Sequence, residues 1–90
     1  MHAVVVQVKI GDDSETARNS LREQVVPRVS QAPGFVAGYW TSSESNDKGL
    51  SMIVFESEEA ASRMAEQVRE NAPPGVTVED VEVREVVANA

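Results

Sequence analysis

A chain of 90 residues that has no cysteine and a formal net charge of −7 is expected to form a single domain, over residues 1–90, that no disulfide stabilises. The absence of cysteine excludes thiolate catalysis and iron–sulfur clusters, and it agrees with a cytoplasmic location. The negative charge disfavours nucleic acid and anionic membranes as partners, and no apolar run approaches the roughly 20 residues that span a bilayer.

The first predicted element is a strand over residues 3–10. Val4, Val6, Val8 and Ile10 alternate onto one of its faces. The opposite face is also partly apolar, and Gln7 interrupts it.

A helix is predicted after Gly11, with Asp12 or Asp13 as its N-cap. Asp12 and Glu15 have the spacing of a capping box. Apolar residues at steps of four predict the buried side of the helix: Ala17, Leu21, Val25 and Val29. Pro27 lies on the opposite side and is expected to kink the helix, because proline removes one backbone hydrogen bond.

The segment QAPGFVAGYW, residues 31–40, combines a turn with most of the aromatic residues of the chain. Pro33 and Gly34 suit the central positions of a type II turn. The strand that follows, residues 35–42, carries three of the four aromatic side chains: Phe35, Tyr39 and Trp40. Since neighbours in a strand point to opposite faces, Tyr39 and Trp40 are expected to serve two different surfaces.

The second half of the chain repeats the strand–helix–strand pattern. A polar hairpin loop over 43–49 leads into a strand over 50–56, and Ser57 caps a helix over 58–71. The inner stripe of that helix consists of Ala61, Met64, Ala65 and Val68. The sequence Pro-Pro-Gly at 73–75 is expected to end it.

The last predicted strand, residues 76–87, changes phase along its length. Two valines of even number, Val76 and Val78, are followed by Val81 and Val83, which predicts a bulge or break near Asp80.

The element order βαββαβ predicts a ferredoxin-like α+β fold. Right-handed crossovers place both helices on one face of a four-stranded antiparallel sheet. The other face is too apolar to be left in water, so we expect a second copy of the chain to cover it in a homodimer.

This order, together with the stretches VVPRVSQAPGFVAGYW and MIVFESEEAASRM, resembles the dimeric α+β barrel superfamily over essentially the whole chain. The resemblance is closest to the antibiotic-biosynthesis-monooxygenase-like branch. It implies a homodimeric α+β barrel with a site in the cavity between sheet and helices. The superfamily includes cofactor-independent monooxygenases and heme-degrading enzymes.

The resemblance also implies which residues would serve heme degradation, namely an asparagine, a tryptophan and a histidine. The matching positions of this chain hold Gln7, Phe55 and Ala65. The single histidine, His2, is expected to be frayed and solvated at the terminus. We therefore predict no heme and no other cofactor.

Cofactor-independent oxygenation requires a dry pocket and polar groups that bind a phenolate. The candidate catalytic residues are Gln7 and Tyr39, and the candidate cavity-lining residues are Trp40, Ser51 and Phe55. A hydrogen-bonded glutamine at the dimer rim is the alternative for Gln7, and core packing is the alternative for Tyr39 and Trp40. The carboxylates cluster at predicted helix N-termini and on the solvent side of the last strand, so no metal site is predicted.

Two functions of different classes are compatible with these features. One is a monooxygenase-like enzyme that acts on a small aromatic substrate. The other is a non-catalytic dimer that binds a small apolar ligand or serves as an assembly module. A closed, dry pocket with polar groups favours the first, and a cavity filled by the protein's own side chains favours the second.

Overall fold

A computed structural model describes residues 1–11, 13–71 and 76–90. Its four strands form one antiparallel sheet in the order β2-β3-β1-β4. They are β1 (His2–Ile10), β2 (Phe35–Ser42), β3 (Lys48–Phe55) and β4 (Val76–Glu85). Helix α1, residues 14–30, and helix α2 (Glu58–Glu70) supply the helical layer, so the predicted ferredoxin-like α+β fold is confirmed. Asp12 of the predicted capping box and the helix stop at 73–75 lie outside the described residues.

The turn before β2 has the predicted geometry. The Phe35 N–H donates to the Ala32 carbonyl at 3.2 Å, which places Pro33 and Gly34 at the centre of the turn. Gly34 has φ +83°, a value that side-chain-bearing residues rarely adopt. The turn brings the chain onto the sheet edge, where the Glu56 N–H donates to the Gly34 carbonyl at 2.8 Å.

Strand β4 contains the predicted irregularity. Its register against β1 shifts between Gln7 and Val8, so that Glu79 is the extra residue. One extra residue reverses the alternation of side chains, and valines on both sides of the bulge therefore face the helices. These valines are Val76, Val78, Val81 and Val83.

Helix α1 is continuous but has a π-helical centre that the sequence analysis did not predict. It consists of an α-helical part (Ser14–Ser20), a π-helical part (Leu21–Val25) and a second α-helical part (Val26–Ser30). The Val26 N–H donates to the Leu21 carbonyl, an i→i+5 bond. Pro27, which has no N–H to donate to the carbonyl four residues earlier, follows directly.

The π-helical part also keeps the apolar stripe of α1 on one side. On an α-helix, each step of four residues overshoots the turn by about 40°. A π-helix rotates less per residue and opposes this drift. Accordingly, Ala17 and Val29 are buried at the two ends of the stripe, and Val25 packs against the core between them.

The hydrophobic core lies between the sheet and the helices. The largest side chains that are fully buried in it are those of Val4, Ile53 and Phe55. Phe35 and Phe55 meet edge to face, with ring centroids 6.1 Å apart. The other members of the buried cluster are Val6, Val29, Ala61, Met64, Ala65 and Val81.

Asp13 is the N-cap of α1. Its carboxylate accepts hydrogen bonds from the Thr16 hydroxyl at 2.6 Å and from the Thr16 backbone N–H at 3.0 Å. These two bonds, first the side-chain bond and then the backbone bond, hold the pKa of Asp13 below its usual 3.8.

We expect the stabilisation by this cap to depend on pH in a defined direction. Because the folded-state pKa of Asp13 is lowered, the carboxylate contributes fully above pH 3.8 and loses its contribution as the pH falls through the folded-state pKa. Asparagine at position 13 would still cap the helix but would not titrate. Thermal unfolding of the wild type and Asp13→Asn should therefore differ at neutral pH and converge in acid.

Glu70→Gln, which removes a carboxylate from the far end of α2, is the charge-matched control. A stability difference for Asp13→Asn that stayed constant well below pH 3.8 would contradict the role of the charged cap.

Candidate functional site

A cavity of about 440 Å³ lies between the sheet and the two helices. It reaches the end of the sheet where β1 ends, β4 begins and α2 ends, and it extends along α1 from Ala17 to Val29. Its apolar lining comes mainly from β1, β4 and the inner stripe of α1. These residues are Val6, Val8, Ile10, Leu21, Val25, Val76 and Val78.

Trp40 and Ser51 supply the polar part of the cavity floor. They are register partners on β2 and β3 and both line the cavity. Trp40 is half-buried and packs against the core, so only part of its ring meets the cavity. The floor therefore combines an indole, a hydroxyl and apolar side chains.

Gly38 explains how the Trp40 ring reaches this position. A Cβ atom at residue 38 would lie 2.7 Å from Cη2 of Trp40, closer than real Cβ contacts come. The same Cβ would lie 3.5 Å from the Phe35 ring. The glycine thus leaves room for the indole to fold back along β2 towards Phe35.

Three arginines of α1 line the same cavity: Arg18, Arg22 and Arg28. They are exposed to solvent, which places them where the cavity opens. The Arg18 guanidinium donates to the Ser42 hydroxyl at 3.2 Å and to the Asn46 side-chain carbonyl, so it ties the helix to the β2–β3 hairpin. Gln67 of α2 and Asn71, the C-cap of that helix, line the cavity from the other side.

The structure brings together only some of the candidate site residues. Trp40 and Ser51 line the cavity, whereas Phe55 is 0% exposed in the core and does not line it. Gln7 and Tyr39 lie on the opposite face of the sheet, where Tyr39 is 67% exposed. Neither contributes a polar group to this cavity.

The sequence analysis missed the arginines. Arg18 and Arg22 each follow a residue of the apolar stripe, Ala17 and Leu21 respectively. One position further along a helix lies about 100° around its axis. Such residues flank the buried stripe, and this placement is the signal that could have found them.

His2 is not frayed, and this expectation was wrong. It lies in β1 with a side chain that is 21% exposed, and its Nε2 is 3.3 Å from Oε2 of Glu58 at the start of α2. Its Nδ1 is buried with no hydrogen-bond partner among the described residues. Ala65, the position matched to the heme-ligand histidine, is fully buried in the core.

The acidic residues form no chelating site within residues 1–11, 13–71 and 76–90, where no three potential metal ligands come together. Several acids pair with basic residues instead, as in Lys48–Glu79 and Arg84–Glu82. In the described part of the chain, no helix is both long enough and apolar enough to cross a membrane.

The sheet face opposite the helices, called the open face below, is largely apolar on β1, β2 and β3. Across its centre, Val5, Met52 and Tyr39 form one row of register partners. Met52 is 47% exposed, and Leu50 of the next row is 48% exposed. Strand β4 contributes charged residues at the edge, including Asp80 and Glu82.

The molecule is therefore a ferredoxin-like α+β protein with an arginine-edged cavity between its sheet and its helices. The sequence matches no protein-family model, and it matches no curated protein. Solved structures do share the fold. A candidate monooxygenase from Shewanella loihica superposes with a TM-score of 0.68 at 15% identity, and the match covers 98% of this chain and 96% of the other.

Two further solved structures share the fold of this chain. A candidate antibiotic biosynthesis monooxygenase from Deinococcus radiodurans has a TM-score of 0.60 at 10% identity, covering 100% of this chain and 95% of the other. A monooxygenase from Streptomyces coelicolor, solved in complex with the ligand nanaomycin D, has a TM-score of 0.53 at 14% identity, covering 98% and 92%. The predicted likeness to the antibiotic-biosynthesis-monooxygenase-like fold is thus confirmed over nearly the whole chain.

Proposed function

We propose that the protein is a homodimeric, cofactor-independent monooxygenase that oxidises a small aromatic substrate in the cavity. The observation that carries this proposal is the cavity itself, with Trp40 and Ser51 on its floor, in a fold shared with monooxygenase structures. The structure solved with nanaomycin D supports the idea that this fold accommodates a small organic ligand.

The size and lining of the cavity support a planar apolar ligand. A volume of about 440 Å³ falls within the range of roughly 300–1,000 Å³ that is typical of small-molecule sites. Valine side chains offer apolar contact, and the Trp40 ring offers a flat aromatic surface. A cavity of this size is not filled by the protein's own side chains, which disfavours a purely structural module.

The reaction requires the protein only to bind the substrate and to stabilise the negative charge of the phenolate. A phenol with a hydrogen para to its hydroxyl reacts with dioxygen to give a quinone and water. One oxygen atom becomes the new carbonyl, the other leaves as water, and the substrate supplies all four electrons. In our proposal, Trp40 Nε1–H and Ser51 Oγ–H donate hydrogen bonds to the phenolate oxygen, and the apolar floor excludes water.

The open face supports the dimeric part of the proposal. Val5 of β1 and Leu50, Met52 and Val54 of β3 make two neighbouring strands apolar on this face, and Tyr39 of β2 adds an aromatic ring. A second copy would cover these side chains symmetrically. In that arrangement Gln7 and Tyr39 belong to the interface between the copies rather than to the cavity.

The proposed function is tested with anthrone, whose enol form is a phenol. We expect oxygen uptake and anthraquinone formation without added metal or cofactor, and at least a tenfold lower kcat for Ser51→Ala, because removing one oxyanion donor typically lowers kcat by about 10²–10³. An oxygen electrode measures the dioxygen consumed, and absorbance spectroscopy measures the anthraquinone formed.

Ser62→Ala is the matched control, because Ser62 is exposed on α2 and does not line the cavity. It should leave the rate unchanged. If anthrone quenched Trp40 fluorescence but no oxygen were consumed above the buffer rate, a non-catalytic ligand-binding protein would replace the enzyme as the better assignment.

A further inference from the structure

We propose that the natural ligand of the cavity is an aromatic carboxylate, whose carboxylate group binds at the mouth among the positive charges of Arg18, Arg22 and Arg28. This inference rests on the proposed function in one respect, namely that the substrate binds in this cavity. It adds the chemical class of that substrate.

The distribution of charge is the first observation. The chain has 15 acidic and 8 basic residues excluding histidine, so acids outnumber bases almost two to one. Three of those 8 bases line the cavity, and the described residues that line it include no acid. The cavity mouth is thus a positive region on a protein with a net charge of −7.

The second observation is that these arginines lack carboxylate partners within the described residues. Elsewhere Arg63 pairs with Glu59, Arg84 with Glu82 and Lys48 with Glu79. No ion pair with a described residue involves any of the three cavity arginines. Their charge is therefore left for a group that enters from outside.

Arg18 shows how such a group would be received. Its guanidinium is held by the neutral oxygens of Ser42 and Asn46, which fix its position without cancelling its charge. A guanidinium has five N–H donors, so Arg18 retains donors for a further acceptor. Its planar fork matches the two oxygens of a carboxylate.

The two ends of the cavity then suit the two ends of one molecule. The floor at Trp40 and the neighbouring valines takes the aromatic ring, and the arginine mouth takes the charge. An overall charge of −7 repels an anion at long range, so local positive charge is what makes the binding of an anion favourable here. A neutral aromatic ligand would gain nothing comparable from the mouth.

Naphthoate and naphthamide are the probes, because they share one ring system and differ in the charge of one group. We expect isothermal titration calorimetry on the full chain to show naphthoate binding at least about tenfold more tightly than naphthamide. The ratio of the affinity for naphthoate to that for naphthamide should fall towards one in the double variant Arg22→Gln/Arg28→Gln. The same ratio should decrease with added salt. Arg18→Gln is measured separately, because Arg18 also ties α1 to the hairpin.

Arg63→Gln is the matched control. It removes a positive charge by the same kind of substitution, but Arg63 does not line the cavity. It should retain the preference for naphthoate. Equal affinity for the two probes in the wild type, or a preference that survives in Arg22→Gln/Arg28→Gln, would overturn the inference, and so would an equal loss of preference in Arg63→Gln.

The two proposals fail in distinguishable ways. Binding of naphthamide without a preference for naphthoate would overturn the carboxylate inference and leave the cavity as an aromatic site. Binding of neither probe would overturn the aromatic ligand and the carboxylate together. Oxygen uptake with anthrone, which carries no carboxylate, tests the oxygenation chemistry independently of the arginines.

Discussion

Phe55→Ala should lower the free energy of unfolding by about 3–5 kcal/mol, the usual range for truncating a buried phenylalanine. Phe55 is 0% exposed, packs edge to face on Phe35 and lies in the centre of the core. The substitution removes the ring and leaves a cavity that neighbouring strands of the sheet cannot close. Because a domain of this size is stabilised by only about 5–15 kcal/mol, the substitution would remove a large share of its stability.

Urea denaturation followed by circular dichroism measures this effect. Phe55→Leu is the control, because it retains much of the side-chain volume and should lose clearly less stability. A loss below about 1 kcal/mol for Phe55→Ala would contradict the placement of this ring in the core. The same variants distinguish a packing role of Phe55 from a role in ligand binding. If Phe55 only packs the core, each variant should lower the apparent ligand affinity only by as much as it lowers the fraction of folded protein.

Alternation and turn chemistry were sufficient to predict the fold. The phase change from Val76 and Val78 to Val81 and Val83 predicted the bulge in β4, because only an extra residue lets both pairs face one layer. Pro33 and Gly34 predicted their turn because few residues other than glycine adopt a positive φ.

The π-helical centre of α1 was missed although the sequence carries its signal. A stripe at Ala17, Leu21, Val25 and Val29 repeats every four residues, and an α-helix repeats every 3.6. The angular difference between the two repeats is small over one turn of the helix and large over three turns. Pro27 was interpreted as a kink, whereas the structure widens the helix just before it.

The candidate site was only partly predictable because β1 and β3 are apolar on both faces. Alternation separates Gln7 from Val6 and Tyr39 from Trp40, but it does not say which set faces the helices. The contacts of α1 and α2 decide this, and they place Trp40 and Ser51 in the cavity. The arginines were overlooked because a charged residue beside an apolar stripe is usually solvated surface.

The second large effect is expected at the open face. Met52→Asp should abolish the proposed dimer and lower the melting temperature by on the order of 10–20 °C, since each kcal/mol corresponds to about 4–8 °C in a domain of this size. Burying Leu50 and Met52 against a partner would contribute about 1.5–3 kcal/mol each. An aspartate at position 52, the centre of the Val5–Met52–Tyr39 row, would instead be buried without a counter-charge, at a cost of several kcal/mol.

Light scattering and thermal unfolding at several protein concentrations test the dimer together. The wild type should scatter as a dimer at micromolar concentration, and its melting temperature should rise with concentration because association stabilises only the folded state. Val87→Asp is the matched control: Val87 is 88% exposed outside the sheet, so the same charge change should leave both measurements unaltered. A wild type that ran as a folded monomer with a melting temperature independent of dilution would rule out the dimer, and the apolar open face would then need another partner.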